Sequence, residues 1–557
     1  MLNEKRPMIK SNIDVNYLFI VLFSGLFFLP FLGGVHLFDW DEINFAECSR
    51  EMLLTREYLH PQIDFQPFRE KPALFMWCQT LSMHVFGVNE FAARLPNAIC
   101  GIITLLAVYH IGKNLYNKTF GLLWVLAYIG SILPHLYFRS GIIDPFFNLF
   151  IFLSLIFLIK TDDSTRPQSN LPRDFSTQYG TFILGGVFLG LAILTKGPVA
   201  YLIISLTWFF KVLIFKELNR EKIKDYALFS LTAFLVIFLW VGVEVLKNGT
   251  WFIKTFMDYN IRLATTEDAG HGGFTGYHFV VIFFGCFPAS IFALRALYKR
   301  TNFMDEKVDF TRWMKALFWV VIIVFSLVQS KIVHYSSMCY LPLTFLSAIT
   351  LKHLIDKGSV LNYIKKLILI IGIFIGILIA ILPFIGQNIE LLKPLFQRDI
   401  FALKNLDAAV TWTGWESLVG FFFIGMVIIA SITFKKGKIL RGSFYLFIST
   451  ALFVNLVLIF YINKIEGYSQ NAAIEFYKNI AQEDCYIETF GFISYAHLFY
   501  AQKQKPANNL DKETLKRGSV DKPTYWVVKY SSKDRLDTVP TLQYLYDKNG
   551  FVFYKRK

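Results

Sequence analysis

Long apolar runs alternate with short polar stretches from Tyr17 to about Lys464. Runs long enough to span a bilayer begin at Tyr17 and near Ala93, Phe120, Ile143, Thr181, Val199, Tyr226, Tyr277, Trp313, His334, Leu361, Trp412 and Ser443, which predicts about thirteen transmembrane helices. The first run lacks a small-residue cleavage site and is followed at once by acidic sequence, so it reads as a retained span. Lys/Arg clusters at 160–173, 211–224, 299–312, 352–366 and 435–441 mark inner loops, each separated from the next by two spans. The segment 72–87, "PALFMWCQTLSMHVFG", would add a crossing and invert every later loop. It is short for a bilayer, so the expectation is a helix lying in the outer interface. The N-terminus, with Lys5, Arg6 and Lys10, is then inside and the C-terminus outside.

Beyond residue 464 the pattern changes. "CYIETFGF", "YWVVKY" and "GFVFYKR" read as strands and "SYAHLFYAQ" as a short helix. The expected organisation is a polytopic α-helical membrane domain over 1–464, with outer loops at 35–92 and 248–276, and a small soluble α/β domain over 465–557 on the outer side.

Composition narrows the class. Of 557 residues, 55% are hydrophobic and 59 are Phe, and the mean hydropathy is +0.46. These values exclude an ordinary soluble enzyme. The net charge of +15 sits in clusters between apolar runs, where membrane topology expects it, and does not call for nucleic acid as a partner. The six cysteines form no CxxC pair and imply neither a disulfide framework nor a zinc knuckle.

This topology gathers six polar motifs on the outer side: the stretch "FDWDEINFAECSREML" with Asp41, Glu42 and Glu47; "FREKP" with Arg69, Glu70 and Lys71; "RSGIIDP" with Arg139 and Asp144; "LTKGP" with Lys196; "NIRLATTEDAGHGGF" with Arg262, Glu267, Asp268 and His271; and "SKIVHY" with Lys331, His334 and Tyr335. Ionisable groups at span ends are costly unless they pair or face a wet cavity. Bland readings exist for several of them. Asp39 and Glu42 are spaced for a capping box, Glu47 can pair with Arg50, and Pro72 can open a helix behind a solvated Glu70–Lys71 pair. Asp41 is left over in a first helical turn, where the macrodipole favours an anion but no local partner is specified. His334, Tyr335 and Arg262 suit packing or interfacial anchoring, whereas Lys196 and Lys331 lie at outer turns against the positive-inside trend.

The run from Asp41 through Glu47 to Met52 resembles the D-E-x-x-[YF]-A-E-x-x-R-E-M motif of membrane-embedded GT-C glycosyltransferases. The branch is that of the bacterial aminoarabinose (lipid A) transferases and the protein mannosyltransferases. "EKPALFMW", "GIIDP", "LTKGP", "RLATTEDAGHGGFTGYHF", "GCFPAS" and "SKIVHY" follow in that family's order, so the likeness runs from Phe38 to Pro342. It implies transfer of a sugar from a polyprenyl monophosphate carrier to a lipid, glycan or protein acceptor, in a bacterial inner membrane with the site facing the periplasm. It also implies an essential Asp at Asp41, with Glu42 and Asp144 as further catalytic candidates. A divalent metal (Zn, or Mg or Mn) is implied between Glu70 and His271, and contacts to the donor phosphate from Lys71, Lys196, Arg262, Lys331 and Tyr335. Some family members carry Arg three positions after the motif Asp, where this chain has Asn44. Two rival readings are a flippase for a lipid-linked sugar, which predicts broken helices at mid-membrane and internal pseudo-symmetry, and a non-catalytic assembly subunit.

Overall fold

Helices that are apolar on every side must bury one another or face lipid, and the chain is built mainly from such helices. The computed structural model describes residues 14–68, 70–161, 175–266, 272–298, 308–506 and 510–557. In order come α1 (Val15–Phe28), α2 (Asp41–Thr55), the strands β1 (Gln62–Ile63) and β2 (Gln66–Pro67), α3 (Leu74–Phe86), α4 (Glu90–Leu115), α5 (Lys118–Ile129), α6 (Ile132–Tyr137) and α7 (Asp144–Thr161). Then follow α8 (Phe175–Lys196), α9 (Val199–Ile214), α10 (Arg220–Asn248), α11 (Trp251–Thr265), α12 (Tyr277–Gly285), α13 (Ala289–Tyr298) and α14 (Val308–Leu327). A 3-10 turn (Val333–Cys339) leads into α15 (Tyr340–Lys357), α16 (Asn362–Gln387), the short α17 (Ile400–Asn405), α18 (Ser417–Lys435) and α19 (Ile439–Phe460).

By length and composition, eight of the described helices can cross a membrane: α4, α8, α10, α14, α15, α16, α18 and α19. Other apolar segments fold into shorter helices. One break answers to a distant helix: α5 stops at Gly130, where a Cβ would lie 2.4 Å from Phe447 of the later helix α19, and the chain resumes as α6. The apolar stretch from Tyr277 is likewise divided between α12 and α13. Residues of α15 are 83% buried in its most apolar window, against 33% in α10 and in α16, so α15 is central and the other two are peripheral. The interfacial candidate 72–87 contains α3, whose 13 residues reach about 20 Å, short of a hydrocarbon core of about 30 Å.

The C-terminal region starts with α20 (Ile462–Gly467) and α21 (Asn471–Asn479). It continues through β3 (Tyr486–Phe490), α22 (Ala496–Tyr500), α23 (Lys512–Arg517), β4 (Thr524–Lys529), α24 (Lys533–Asp537), β5 (Leu542–Lys548) and β6 (Phe551–Arg556). The sheet order is β3-β4-β6-β5, with β3 and β4 parallel and the other pairs antiparallel. Three strands and α22 occupy the segments the sequence marks. β5 is the addition, an edge strand bulged between Tyr544 and Tyr546 and mostly exposed, so its apolar alternation is weak.

This region does not stand apart. Leu37, Ile43, Ala46, Ala92 and Ala93 share one hydrophobic core with Ala472, Phe476, Phe499, Tyr525 and Phe553. Hydrogen bonds join the two sides: the Leu37 N–H donates to the Tyr500 hydroxyl (2.6 Å), the Gln470 amide donates to the Leu37 carbonyl (2.8 Å), and Arg50 donates to the Lys503 carbonyl (2.8 Å). Lys503 in turn reaches Asp64 in the β1–β2 turn (3.1 Å).

Candidate active site

Helix α2 is unusual in being buried around its whole girth while carrying Glu42, Asn44, Glu47, Ser49, Arg50 and Glu51. Buried polar groups demand partners, and those partners fix where α2 sits. Glu42 receives the Arg94 guanidinium through both oxygens (2.9 and 2.8 Å) and the N–H groups of Phe38 (2.9 Å) and Gly141 (2.5 Å). Burial alone would raise the Glu42 carboxyl; Arg94 and the two backbone donors outweigh it and hold the carboxyl below its ordinary value. Arg94 spends its other donors on the carbonyls of Leu32, Val35 and His36. Glu47 pairs with Arg50 (2.6 Å), as its spacing suggests. Glu51 accepts from the Asp64 and Phe65 N–H groups (2.7 and 2.8 Å). These two residues have positive φ (55° and 58°), so Glu51 holds the tight β1–β2 turn.

One expectation is corrected here. No side chain caps α2 at its N-terminus, so Asp39 and Glu42 do not form a capping box. Glu42 instead clasps α2 to α4 and to the 139–143 turn.

Asp41 is free of that network and points elsewhere. It lines a cavity of about 540 Å³ together with Trp40, Glu70, Lys71, Lys196, Tyr259, His334 and Tyr335 on the polar side, and Val199, Leu202, Leu263, Val324, Phe325 and Val328 on the apolar side. Asp41 Oδ2 lies 3.5 Å from His334 Nε2. The Tyr259 hydroxyl donates to Glu70 (3.0 Å) and receives Lys71 Nζ (3.4 Å). Lys71 also lies 4.7 Å from the centre of the Tyr259 ring, a cation–π contact. Burial holds the Lys71 ammonium below the usual lysine range, with Glu70 and Asp41 opposing that shift. Lys196 Nζ bridges to Asp144 Oδ1 (2.6 Å) and lies 5.2 Å from the centre of the Tyr335 ring. Asp144, 1% exposed, also accepts from Ser337 (3.3 Å), and its Oδ2 has no hydrogen-bond partner among the described residues.

The structure thus brings Asp41, Glu70, Lys71, Lys196 and Tyr335 around one cavity and places Asp144 directly behind Lys196. Arg262 stacks on the Tyr259 ring (5.3 Å) and is not among the lining residues. Lys331 does not line this cavity: its ammonium donates to the carbonyls of Phe325, Ser326 (2.8 Å) and Val328, closing the end of α14. Arg139 is spent on the Phe27 and Pro30 carbonyls. His271, Glu267 and Asp268 lie outside the described residues, as do Arg69 and Lys5, Arg6 and Lys10. Among the described residues no three His, Cys, Asp or Glu side chains come together to hold a metal, and Glu70 is engaged by Tyr259. These residues alone do not build a metal centre.

Two participants escape the sequence reading. Tyr259 sits on the amphipathic α11, where an aromatic residue carries no distinctive signal. Arg94 carried one, a guanidinium inside an apolar helix, which is tolerated only when paired.

Three comparisons with known proteins point the same way, to membrane glycosyltransferases. Residues 70–243 match the family described as dolichyl-phosphate-mannose-protein mannosyltransferase. The undecaprenyl phosphate-alpha-4-amino-4-deoxy-L-arabinose arabinosyl transferase of Pectobacterium atrosepticum is 24% identical over 420 residues, 74% of this chain and 71% of that protein. Its Pseudomonas aeruginosa counterpart is 25% identical over 387 residues, 69% and 67% of the two chains. In fold, the crystal structure of ArnT from Cupriavidus metallidurans bound to undecaprenyl phosphate matches with a TM-score of 0.76 over 98% of both chains at 15% identity. The Archaeoglobus fulgidus oligosaccharyltransferase AglB matches at 0.50 over 97% of this chain and 74% of its own, at 10% identity. The chain is a multi-pass membrane protein with the fold of these membrane glycosyltransferases. In sequence it resembles the undecaprenyl-phosphate aminoarabinose transferases, and in fold it resembles ArnT.

Proposed function

We propose that this protein transfers a sugar from an undecaprenyl-type monophosphate carrier to an acceptor at the periplasmic face of a bacterial inner membrane. The observation that carries the reading is the mixed lining of the cavity around Asp41. Lys71 and Lys196 supply fixed positive charge for a phosphate, and apolar side chains from α9, α11 and α14 offer the adjoining wall to an isoprenoid. In this reading Asp41 faces the anomeric carbon from the side of the incoming acceptor. The carrier phosphate leaves with the bonding electron pair, and the two lysines stabilise the charge it gains in a site of low dielectric. Tyr259 fixes Lys71 and Glu70 relative to one another, and Tyr335 flanks Lys196. The names of the relatives support the carrier, since they are undecaprenyl-phosphate aminoarabinose transferases and one was solved with undecaprenyl phosphate. The acceptor is a lipid, a glycan or a protein reached from the aqueous side.

Intact-mass analysis of membrane lipids and glycans, with and without the protein and with Asp41→Asn, tests this. The expected result is a fall of about a thousandfold in transfer for Asp41→Asn, with carrier-linked sugar accumulating and the protein recovered in normal amount. A sugar that changes leaflet while no acceptor gains mass would replace the transferase by a transporter.

A further inference from the structure

We propose that Trp40 is the platform on which the ring of the transferred sugar stacks, held at the cavity by Asn44 and by Tyr495 of the C-terminal region. The inference rests on the carrier-linked sugar of the transferase reading above, and adds the place that grips the sugar itself, apart from the phosphate and the isoprenoid.

The first support is elimination among rings. Trp40, Tyr259, Phe325 and Tyr335 supply the Phe, Tyr and Trp side chains of the described lining. Lys71 Nζ and Arg262 Cζ lie 4.7 and 5.3 Å from the centre of the Tyr259 ring, so cations already occupy it. Lys196 Nζ and the Phe325 ring lie 5.2 and 5.3 Å from the centre of the Tyr335 ring. Phe325 is only 6% exposed and packs against His278 as well. Trp40 is 40% exposed, and the ring it meets is that of Tyr495, with centres 6.0 Å apart.

The second support is that the indole is held in one orientation. Asn44, one turn on in α2, accepts from the indole Nε1 (3.3 Å) and donates to the Trp40 carbonyl (3.0 Å) once its amide is oriented to satisfy both. An indole whose polar handle is met and whose rotation is stopped loses little freedom when a ligand lies on its face. Tyr495, which precedes α22, braces the ring and packs against both the core shared with the C-terminal region and the core beneath α2. Anchoring in the membrane interface is the ordinary task of an exposed Trp near a span end. Trp415, 75% exposed at the head of α18, suits that task, whereas Trp40 lies between the cavity and Tyr495.

The third support is the company Trp40 keeps. Asp41 follows it directly, and Glu70, Lys71 and Lys196 share the cavity. A sugar ring has a face of C–H bonds, which suits the negative face of an indole, and an edge of hydroxyls, which donate to carboxylates. With the phosphate at the lysines and the isoprenoid along α9, α11 and α14, the ring falls to Trp40 and the two carboxylates.

Binding to the full-length protein in detergent, followed by native mass spectrometry, tests this with two probes. One is undecaprenyl monophosphate, and the other is the carrier-linked sugar extracted from membranes that lack the protein. The wild type should bind the sugar-bearing carrier about tenfold tighter than the bare one. Trp40→Ala should abolish that preference while the affinity for the bare carrier stays within about twofold; Trp40→Phe should keep most of it, and Asn44→Ala, which frees the indole, only part. No preference in the wild type, equal weakening of both probes in Trp40→Ala, or an undiminished preference in that variant would each overturn the proposal. Should Trp40→Ala not be recovered folded, a preference in Asn44→Ala equal to that of the wild type overturns it too, and a reduced one upholds it. In a transfer assay Trp40→Ala should raise the KM for the carrier-linked sugar; a rise confined to the KM for the acceptor overturns the assignment to the transferred sugar. A wild type that transfers nothing yet keeps the tenfold preference ends the transferase reading and leaves the sugar site standing.

Discussion

At the scale of single residues, the site depends on which ionisable groups are committed and which are left over. Asp41 and Glu42 are neighbours with opposite fates: one carboxylate is consumed by Arg94 and two backbone N–H groups, and the other faces the cavity. The Asp144–Lys196 pair is a sharper case, because Asp144 is 1% exposed. Lys196→Met should destabilise the protein by about 3–5 kcal/mol by leaving a buried carboxylate unpaired. Adding Asp144→Asn should restore most of that stability in a detergent thermal melt without restoring transfer, which separates the structural task of the pair from the phosphate contact proposed for Lys196. Equal losses in the single and double variants would contradict the pairing. The gathering of Asp41, Glu70, Lys71, Lys196 and Tyr335 around one cavity was legible in the sequence, because they lie in short motifs at span ends. The Glu42–Arg94 clasp was not, because its two halves are 52 positions apart. Nor were the carbonyls that Lys331 serves, because a lysine near a helix end looks the same whatever it meets. The His334–Asp41 contact was hidden because nearly 300 positions separate the two residues.

At the scale of elements, α2 sets the geometry, and its buried acids tie its stability to pH. Glu51 is fully buried, and burial, reinforced by Glu47 in the preceding turn, pushes its carboxyl well above the ordinary value of 4.5. A raised value in the folded state means that the native protein keeps a proton the unfolded chain releases. The associated stability is therefore complete below about pH 4.5 and is lost as pH climbs through the higher folded value. The thermal midpoint of the wild type should fall from about pH 5 to pH 8, and Glu51→Gln should flatten that slope. A slope unchanged by the substitution would place the pH dependence elsewhere. Hydropathy located the helices well, since α4, α8, α10, α14, α15, α16, α18 and α19 all lie in segments it marked. It did not reveal where an apolar run breaks, as between α5 and α6, because that break answers to Phe447 on a distant helix.

At the scale of the whole molecule, the membrane bundle and the C-terminal sheet are two architectures with one shared core. The composition shift near Lys464 revealed the change of architecture. It gave no sign that α21, α22 and β6 would pack against the start of α2 and of α4, since nothing local in "DEINFAECSREML" names those partners. Removing residues 462–557 should therefore do more than delete an accessory part. It uncovers Leu37, Ile43 and Ala46 and takes away the hydrogen bonds to Leu37. The expected outcome is a chain that inserts in the membrane, elutes as aggregate in size-exclusion chromatography and transfers no sugar. A monodisperse and active truncation would contradict the shared core.

That shared core also bears on the order of synthesis. The N–H of Leu37 waits for the hydroxyl of Tyr500, 463 positions later, and helices fold as the ribosome delivers them, whereas contacts this distant must come last. Until then the helix that carries Asp41 has no floor beneath it. A fragment released early, by a stalled ribosome or a clipped message, would hold every outer motif and still lack the residues that seat α2. The motifs nearest the start of the chain thus take their final place only after residues near 553 have emerged.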